Sequence, residues 1–498
     1  MAGLKFKDFP QDLESLNTLC LKLGNDKPLR RILLLARELG CQTIVLQKPV
    51  GHAGFKSEWE DYYKYVQPPL TNKVEKLNFF RSSLHSISDL ENTDSSDFLG
   101  YIILRPIPRQ KVCESVMRIP PAPGHTYTLA KGKYTSYVGR RQFEVEGTLF
   151  VQQDGNAGVC AHACLVMLSD ITSRIFPSSS LQPWSISQIK RCISQMSPPA
   201  MGPGLQLHHI ARVFEEMGFS NDTLYIFTGD RTQRFTPEQI IYLYAESRIP
   251  VFVGLPLEAR HTAHSVLVIG HTFDKNAWWP EAWPSYYTTI PSGESWLSSV
   301  AWADDWLICD DNFGPYLAMP KHLCDVSWVA VPLPKNILIK GELAMINAFW
   351  IIHETLIFRQ LMAEAYRKEL SFWTDPFMTH LVEGKLVLRA FLITKEEFQE
   401  SIKRDEVINR ELAQYYLSYS LPDYIWFGEL TIPELFREGL RLGEVLINAH
   451  CPPNFIRTGH EALLAVHAPG ALLTYTRGTV TPEPYLVSND CPSKVLSR

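Results

Sequence analysis

Gln153-Asp-Gly-Asn-Ala-Gly-Val-Cys160-Ala-His-Ala-Cys-Leu-Val-Met167 joins a polar, glycine-containing loop to an apolar helix, with a cysteine at the junction. A thiol at a helix N-terminus faces unpaired backbone N–H groups and the positive end of the helix dipole. Both favour the thiolate, the nucleophilic form. A nucleophilic cysteine needs an imidazole to hold and return its proton, and the imidazole needs a third polar group to fix its tautomer.

Reading outward, the chain supplies both in order. After the cysteine helix, a second helix is expected over Leu205 to Met217, closed by Gly218, and a third from Thr236-Pro237-Glu238 to about Arg248. Two apolar strands follow, Val251 to Leu255 and Ser265 to Gly270, with His264 immediately before the second. An aromatic insertion of about thirty residues, rich in Trp, Pro and Ser, precedes a strand from Trp306 to Cys309 that runs into Asp310-Asp311-Asn-Phe-Gly-Pro-Tyr. Helices first and an antiparallel sheet afterwards imply an α+β class. The insertion suits a lid, a substrate wall or a docking surface for another domain.

This set of three ordered motifs resembles the papain-like superfamily of cysteine peptidases, and within it the bacteriocin-processing (double-glycine) peptidase domains. Those domains carry a glutamine and then Cys-Gly-x-Ala-Cys-Leu-x-Met; here Cys160-Ala-His-Ala-Cys-Leu-Val-Met167 matches apart from Ala161 in place of glycine. Their histidine precedes an apolar strand ending near glycine, as in His264-Ser-Val-Leu-Val-Ile-Gly270, and Ile249-Pro-Val-Phe-Val-Gly254 is similar to the strand before it. Asp311-Asn-Phe-Gly314 fits the spacing of the third residue in papain itself, whereas Asp310 fits the Asp-Pro-x-x-Gly form of the exporter peptidases. The resemblance spans about residues 143 to 335. It implies a papain-like central domain, with an N-terminal helix bearing the cysteine and an antiparallel sheet bearing histidine and aspartate, flanked by α/β segments.

The resemblance also implies roles. Cys160 attacks a carbonyl and forms a thioester, His264 serves as base and then acid, and Asp311 or Asp310 orients it. Asp311 is preferred because it shares strand parity with Leu307 and Cys309. The family's oxyanion glutamine lies six residues before the cysteine, where this chain has Asp154; Gln153 is seven before and Gln152 eight before. A carboxylate facing a developing oxyanion raises the barrier by repulsion. The donor role therefore goes to Gln153, through a one-residue bulge in the loop, together with the backbone N–H of Cys160. One such donor is worth about 3–4 kcal/mol in the transition state.

The remaining sequence sets bounds. At 498 residues the chain exceeds one core, so two to four domains are expected. We divide it into an N-terminal α/β segment (1–142), the peptidase-like domain (143–335) and a C-terminal α/β segment (336–498). In the first, Pro28 to Leu39 reads as a helix, Gln42 to Gln47 and Gly100 to Leu104 as strands, residues 119–124 as a surface connection, and Thr126 to Val151 as strand-rich. The last has a long helix near 341–370, a strand from Lys385 to Leu392, a helix entered through Thr431-Ile-Pro-Glu that runs to about Leu442, and a frayed tail from about Thr481.

A net charge of −5 without a Lys/Arg run excludes a general nucleic-acid binder. The N-terminus lacks a signal-peptide pattern, and the most apolar helical stretch, Leu343 to Ile352, is about half a membrane span. Ten scattered cysteines read as reduced thiols. The expectation is a soluble, cytoplasmic hydrolase of bacterial type acting on a protein or peptide substrate, with no nucleic acid or membrane partner and no cofactor or metal. The same triad also serves acyl transfer or deamidation, and a binding scaffold that keeps a peptidase-like fold is a further alternative.

Other candidates have plainer readings. Cys164, one turn after Cys160, is expected in the core beside Leu168. Cys160, His162 and Cys164 do not share a helix face, which argues against zinc. His208-His209 are assigned to helix packing or surface. His261 and His271 compete with His264, and Trp278, Trp279 and Trp283 are read as buried aromatics.

Overall fold

The structure is a computed structural model that describes residues 3–67, 70–120, 126–155, 160–195, 205–227, 234–257, 262–274, 286–289, 293–322, 325–365, 372–452, 462–469, 471–476, 479–483 and 492–496. The chain divides into two compact units, each made from three stretches. Residues 1–227, 248–271 and 305–334 form the first, and 228–247, 272–304 and 335–498 the second. Helices and mainly antiparallel sheets make up both, as expected of an α+β protein.

The expected boundary at 142 is corrected. It falls inside the strand Arg141–Phe150, which pairs with Val112–Arg118 on one edge and Gly132–Val138 on the other. Cutting there would orphan two rows of backbone hydrogen-bonding groups. Segments 1–142 and 143–335 are therefore largely one body.

In the first unit a seven-stranded sheet runs, in spatial order, Gly3–Asp8, Thr43–Val50, Val74–Phe80, Phe98–Leu104, Val112–Arg118, Arg141–Phe150 and Gly132–Val138. Its ladders are antiparallel throughout. Phe98–Leu104, a near-continuous apolar run, is buried along its whole length, as a central strand covered on both faces should be. A second sheet has the order Gly314–Pro320, Ala303–Asp310, Thr262–Phe273, Val251–Leu257, Trp328–Ala330 and Leu224–Ile226. The phenol of Tyr316 ties this sheet to the first, donating to Met117 O at 3.0 Å and accepting from Thr148 N at 2.7 Å.

The helix Cys160–Ile175 is apolar on most sides and buried accordingly: Ala161 through Leu165 and Met167 through Thr172 are all inside. One turn in, Cys164 Sγ donates to Ser265 O at 3.5 Å, which seats the helix on the strand that carries His264.

The second unit holds an eight-stranded sheet ordered Tyr287–Thr289, Ser295–Ser298, Val387–Thr394, Tyr424–Thr431, Gly443–Asn448, Leu463–Ala468, Ala471–Thr476 and Thr479–Glu483. The described part of the aromatic insertion thus supplies two strands. Trp278, Trp279 and Trp283, and most of the connection at 119–124, lie outside the described residues. The long helix is Gly341–Ala365.

Two expectations in this unit are corrected. The helix after Thr431 is only Pro433–Arg437, because Gly439 at φ 74° turns the chain into the strand pair Leu440–Arg441. The tail does not fray throughout. Ser493–Lys494 pairs with Leu440–Arg441, and Leu496 is buried with its N–H on Glu429 Oε1 at 2.6 Å and its carbonyl on Arg389 at 2.9 Å. Buried charges hold what composition alone would release.

Candidate active site

His264 sits near the start of the strand Thr262–Phe273, opposite Leu255 on Val251–Leu257. The neighbouring strand Ala303–Asp310 ends at Asp310. His264 Nε2 and Asp310 Oδ2 lie 3.0 Å apart. The other oxygen, Asp310 Oδ1, accepts the backbone N–H of Asn312 at 2.8 Å, an Asx turn that fixes the carboxylate against its own strand end. With Nε2 given to Asp310, Nδ1 is the ring nitrogen left for the thiol.

The preference for Asp311 as the orienting acid is corrected. Register with Gly314–Pro320 becomes irregular between Ile308 and Asp310, so alternation from Leu307 and Cys309 does not carry through to Asp311. Asp311 opens the turn instead. It is fully buried, and neither of its carboxylate oxygens has a hydrogen-bond partner among the described residues. Burial, followed by the charge of Asp310, pushes its carboxyl up to about 7 against the opposing pull of His264.

Cys160 is the first residue of its helix and is half-buried, whereas Cys164 is sealed in the core. Burial holds the Cys164 thiol far above its usual range, so it is an inert packing residue, as expected. The His264 side chain, 17% exposed, hydrogen-bonds Asp310 and also faces the Cys160 thiol closely enough to be perturbed by it. Burial alone would pull the imidazole down; those two neighbours and their negative charges push it up to about 10. The ring is thereby held as imidazolium at neutral pH.

The three residues before the loop part company. Gln152 turns inward as a structural clamp, accepting from Val112 N at 3.0 Å and donating to Asp26 Oδ1 at 3.0 Å. Asp154 is buried and takes the Tyr63 hydroxyl at 2.7 Å. Gln153 instead sends Nε2 to Asn312 Oδ1 at 3.3 Å, placing its carboxamide beside the turn that bears Asp310. Of the three, Gln153 alone is brought to the site's acidic turn.

One N-terminal helix, Lys27–Glu38, supports that turn through two cations that carry no signal in the sequence. Arg31, on the helix Lys27–Glu38, donates to Pro315 O at 3.3 Å and Tyr316 O at 2.8 Å. Gly314 adopts φ 123°, and a Cβ there would meet the Arg31 side chain at 2.9 Å, so glycine answers both demands. Lys27 Nζ lies 4.5 Å above the Phe313 ring. Nothing in a helical repeat distinguishes these two cations from solvated ones.

The other histidines considered, where described, have different surroundings. His271 is buried, edge-on to Trp306. His209 Nδ1 accepts Gln206 N at 3.1 Å and caps its own helix, while His208 is exposed. His162 is buried, and burial together with the charge of Lys190 drives its ring down to about 4. His261 lies outside the described residues. Among the described residues, His264, Asp310 and Asp311 bring one ligand atom each within 4.8 Å of one another, and no helix is long and apolar enough to cross a membrane. The chain matches no protein-family model, no curated protein and no solved structure, so the chemistry must be read from these side chains themselves.

Proposed function

We propose that the chain is a thiol hydrolase that opens an amide or isopeptide bond in a protein or peptide substrate, on a papain-like arrangement of cysteine helix, histidine strand and aspartate strand. One observation carries the reading: a single imidazole is shared between Cys160 and Asp310, 3.0 Å from the latter. A thiol, an imidazole and a carboxylate also meet at Cys113, His52 and Glu114, but there the thiol is buried, whereas Cys160 is half-buried and opens a helix, as an accessible nucleophile must.

The steps balance on these groups. The Cys160 thiolate attacks the carbonyl carbon, and the electron pair of the C=O bond moves onto oxygen. The Gln153 carboxamide and the Cys160 backbone N–H are the donors proposed for that oxyanion. As the intermediate collapses, the C–N bond breaks and the His264 imidazolium gives its proton to the departing amine. A thioester and a neutral imidazole remain. Water then attacks the thioester, His264 takes its proton, and the acid product leaves Cys160 as the thiolate beside imidazolium. Asp310 keeps the ring aligned in both states.

The test is mass spectrometry of the full chain treated with an acyl-electrophile probe, followed by a panel of amide- and isopeptide-linked peptides. Adduct on Cys160 that disappears in His264→Ala, with hydrolysed product released, supports the reading. Equal labelling in the two proteins sinks it. Product carrying an added amine instead of water would reassign the chain to acyl transfer.

A further inference from the structure

We propose that the same pocket is a zinc-class cation site in which His264, Asp310 and Asp311 are the ligands, and that occupancy switches the thiol chemistry off. This rests on the hydrolase reading for the roles of His264 and Asp310 and adds to it the unpartnered carboxylate of Asp311.

The starting point is Asp311. A triad needs one carboxylate, and Asp310 already fills that place at 3.0 Å from His264. Asp311 nevertheless lies fully buried beside it with both oxygens lacking a hydrogen-bond partner among the described residues. Burying a second carboxylate without hydrogen-bond donors, beside a single imidazole already shared with Asp310, costs free energy that a bound cation would offset. A substrate amide does not repay a negative charge. A divalent cation does.

The geometry suits one. Ligand atoms of His264, Asp310 and Asp311 lie within 4.8 Å of one another. Ligands around a tetrahedral zinc stand roughly 3.3 Å apart for bonds of about 2.0 Å, so small side-chain adjustments close the site. The donor set, one imidazole nitrogen and two carboxylate oxygens with a thiol next to the imidazole, selects zinc over magnesium or calcium, which take oxygen alone. Three protein ligands leave a fourth position for water.

Binding would displace the proton between His264 Nε2 and Asp310 and release it to solvent. The ring would keep only its Nδ1 proton, which a neutral metal-bound imidazole gives to a leaving amine far less readily than an imidazolium does, and this accounts for the switch. The cation is thus a reversible inhibitor, not a participant in the reaction.

Zinc chloride alone is the probe, titrated into the full chain freed of metal by chelation and followed by calorimetry, with Co²⁺ substitution read by its visible spectrum. One equivalent bound by the wild type, weakened at least tenfold in both Asp311→Asn and His264→Gln, supports the site. Binding unchanged in those variants, or none at micromolar zinc, overturns it. Should a variant fail to fold, the wild type decides: zinc must protect Cys160 from iodoacetamide, with protection lost on adding chelator, and undiminished alkylation rejects the proposal. Failure of the hydrolase reading looks different, namely an unreactive Cys160 in chelator whatever the zinc titration shows.

Discussion

Two buried acidic clusters, one in each unit, solve the same problem in opposite ways. In the second unit Glu246, Glu429 and Glu444 are all sealed in the fold, and each meets a guanidinium. Glu429 Oε2 accepts from Arg389 at 2.6 Å, and Glu444 takes Arg441 at 3.0 Å, the Tyr416 hydroxyl at 2.7 Å and the His467 ring at 3.2 Å. In the first unit Asp310 has His264 and a backbone N–H, while Asp311 has no partner among the described residues. The protonation balance follows. Burial pushes Glu444 up, but His467 and Arg441 overcome it and bring the carboxyl down to about 2, whereas Asp311 rises to about 7. A saturated cluster is architecture; a cluster left short of donors marks a place reserved for chemistry or a ligand.

The largest effect should come from breaking the saturated side. Arg389→Ala takes the guanidinium from both Glu246 and Glu429 and frees the carbonyl of Leu496, so it should cost about 3–5 kcal/mol in denaturant unfolding. Because Glu444 is depressed, its stabilisation is full above its ordinary value of 4.5 and is lost as pH falls toward 2. If Arg389→Ala unfolds at the wild-type midpoint, the comparison loses its structural half.

Next comes the clamp on the acidic turn. Arg31→Ala removes two hydrogen bonds to the backbone of Pro315 and Tyr316 and should cost about 1–3 kcal/mol. It should also slow Cys160 labelling, since the turn that holds Asp310 loosens. Unchanged labelling would show that the turn needs no support from the N-terminal helix.

Asp311→Asn sharpens the other half, measured in chelator. The folded protein holds the Asp311 proton more tightly than the unfolded chain, 7 against 3.8, so wild-type stability falls as pH rises between those values. The variant should lack that decline and gain on the wild type by about 1–3 kcal/mol from pH 5 to pH 8. Parallel pH profiles would mean that Asp311 is ionised or satisfied in the fold. The smallest shift belongs to Asp310→Asn. His264 loses the carboxylate that helps hold it at about 10, so the alkaline fall in activity should begin at lower pH than in the wild type.

Much of this was legible in the chain. The cysteine at a helix start, the histidine near the start of the next strand and the acidic pair around the end of the one after follow from apolar runs and their punctuation, though the strands reach two residues before His264 and one past Cys309. What stayed hidden depends on non-local contact. Choosing between Asp310 and Asp311 required knowing where the strand loses register, a property of its pairing with Gly314–Pro320. Sorting Gln152, Gln153 and Asp154 required their partners Asp26, Asn312 and Tyr63, from three separate parts of the chain. The domain boundary at 142 failed because a strand pairs on both edges, and the tail was misjudged because Arg389 and Arg441 reach it across more than fifty residues.

The most direct test of the central claim is the iodoacetamide rate at Cys160 against that at Cys451, the other half-buried thiol among the described cysteines, within one sample at pH 6 in chelator. The imidazolium pair predicts that Cys160 reacts roughly tenfold faster or more, and that the excess vanishes in His264→Ala. Equal rates in the wild type, or an excess that survives the loss of His264, would contradict it.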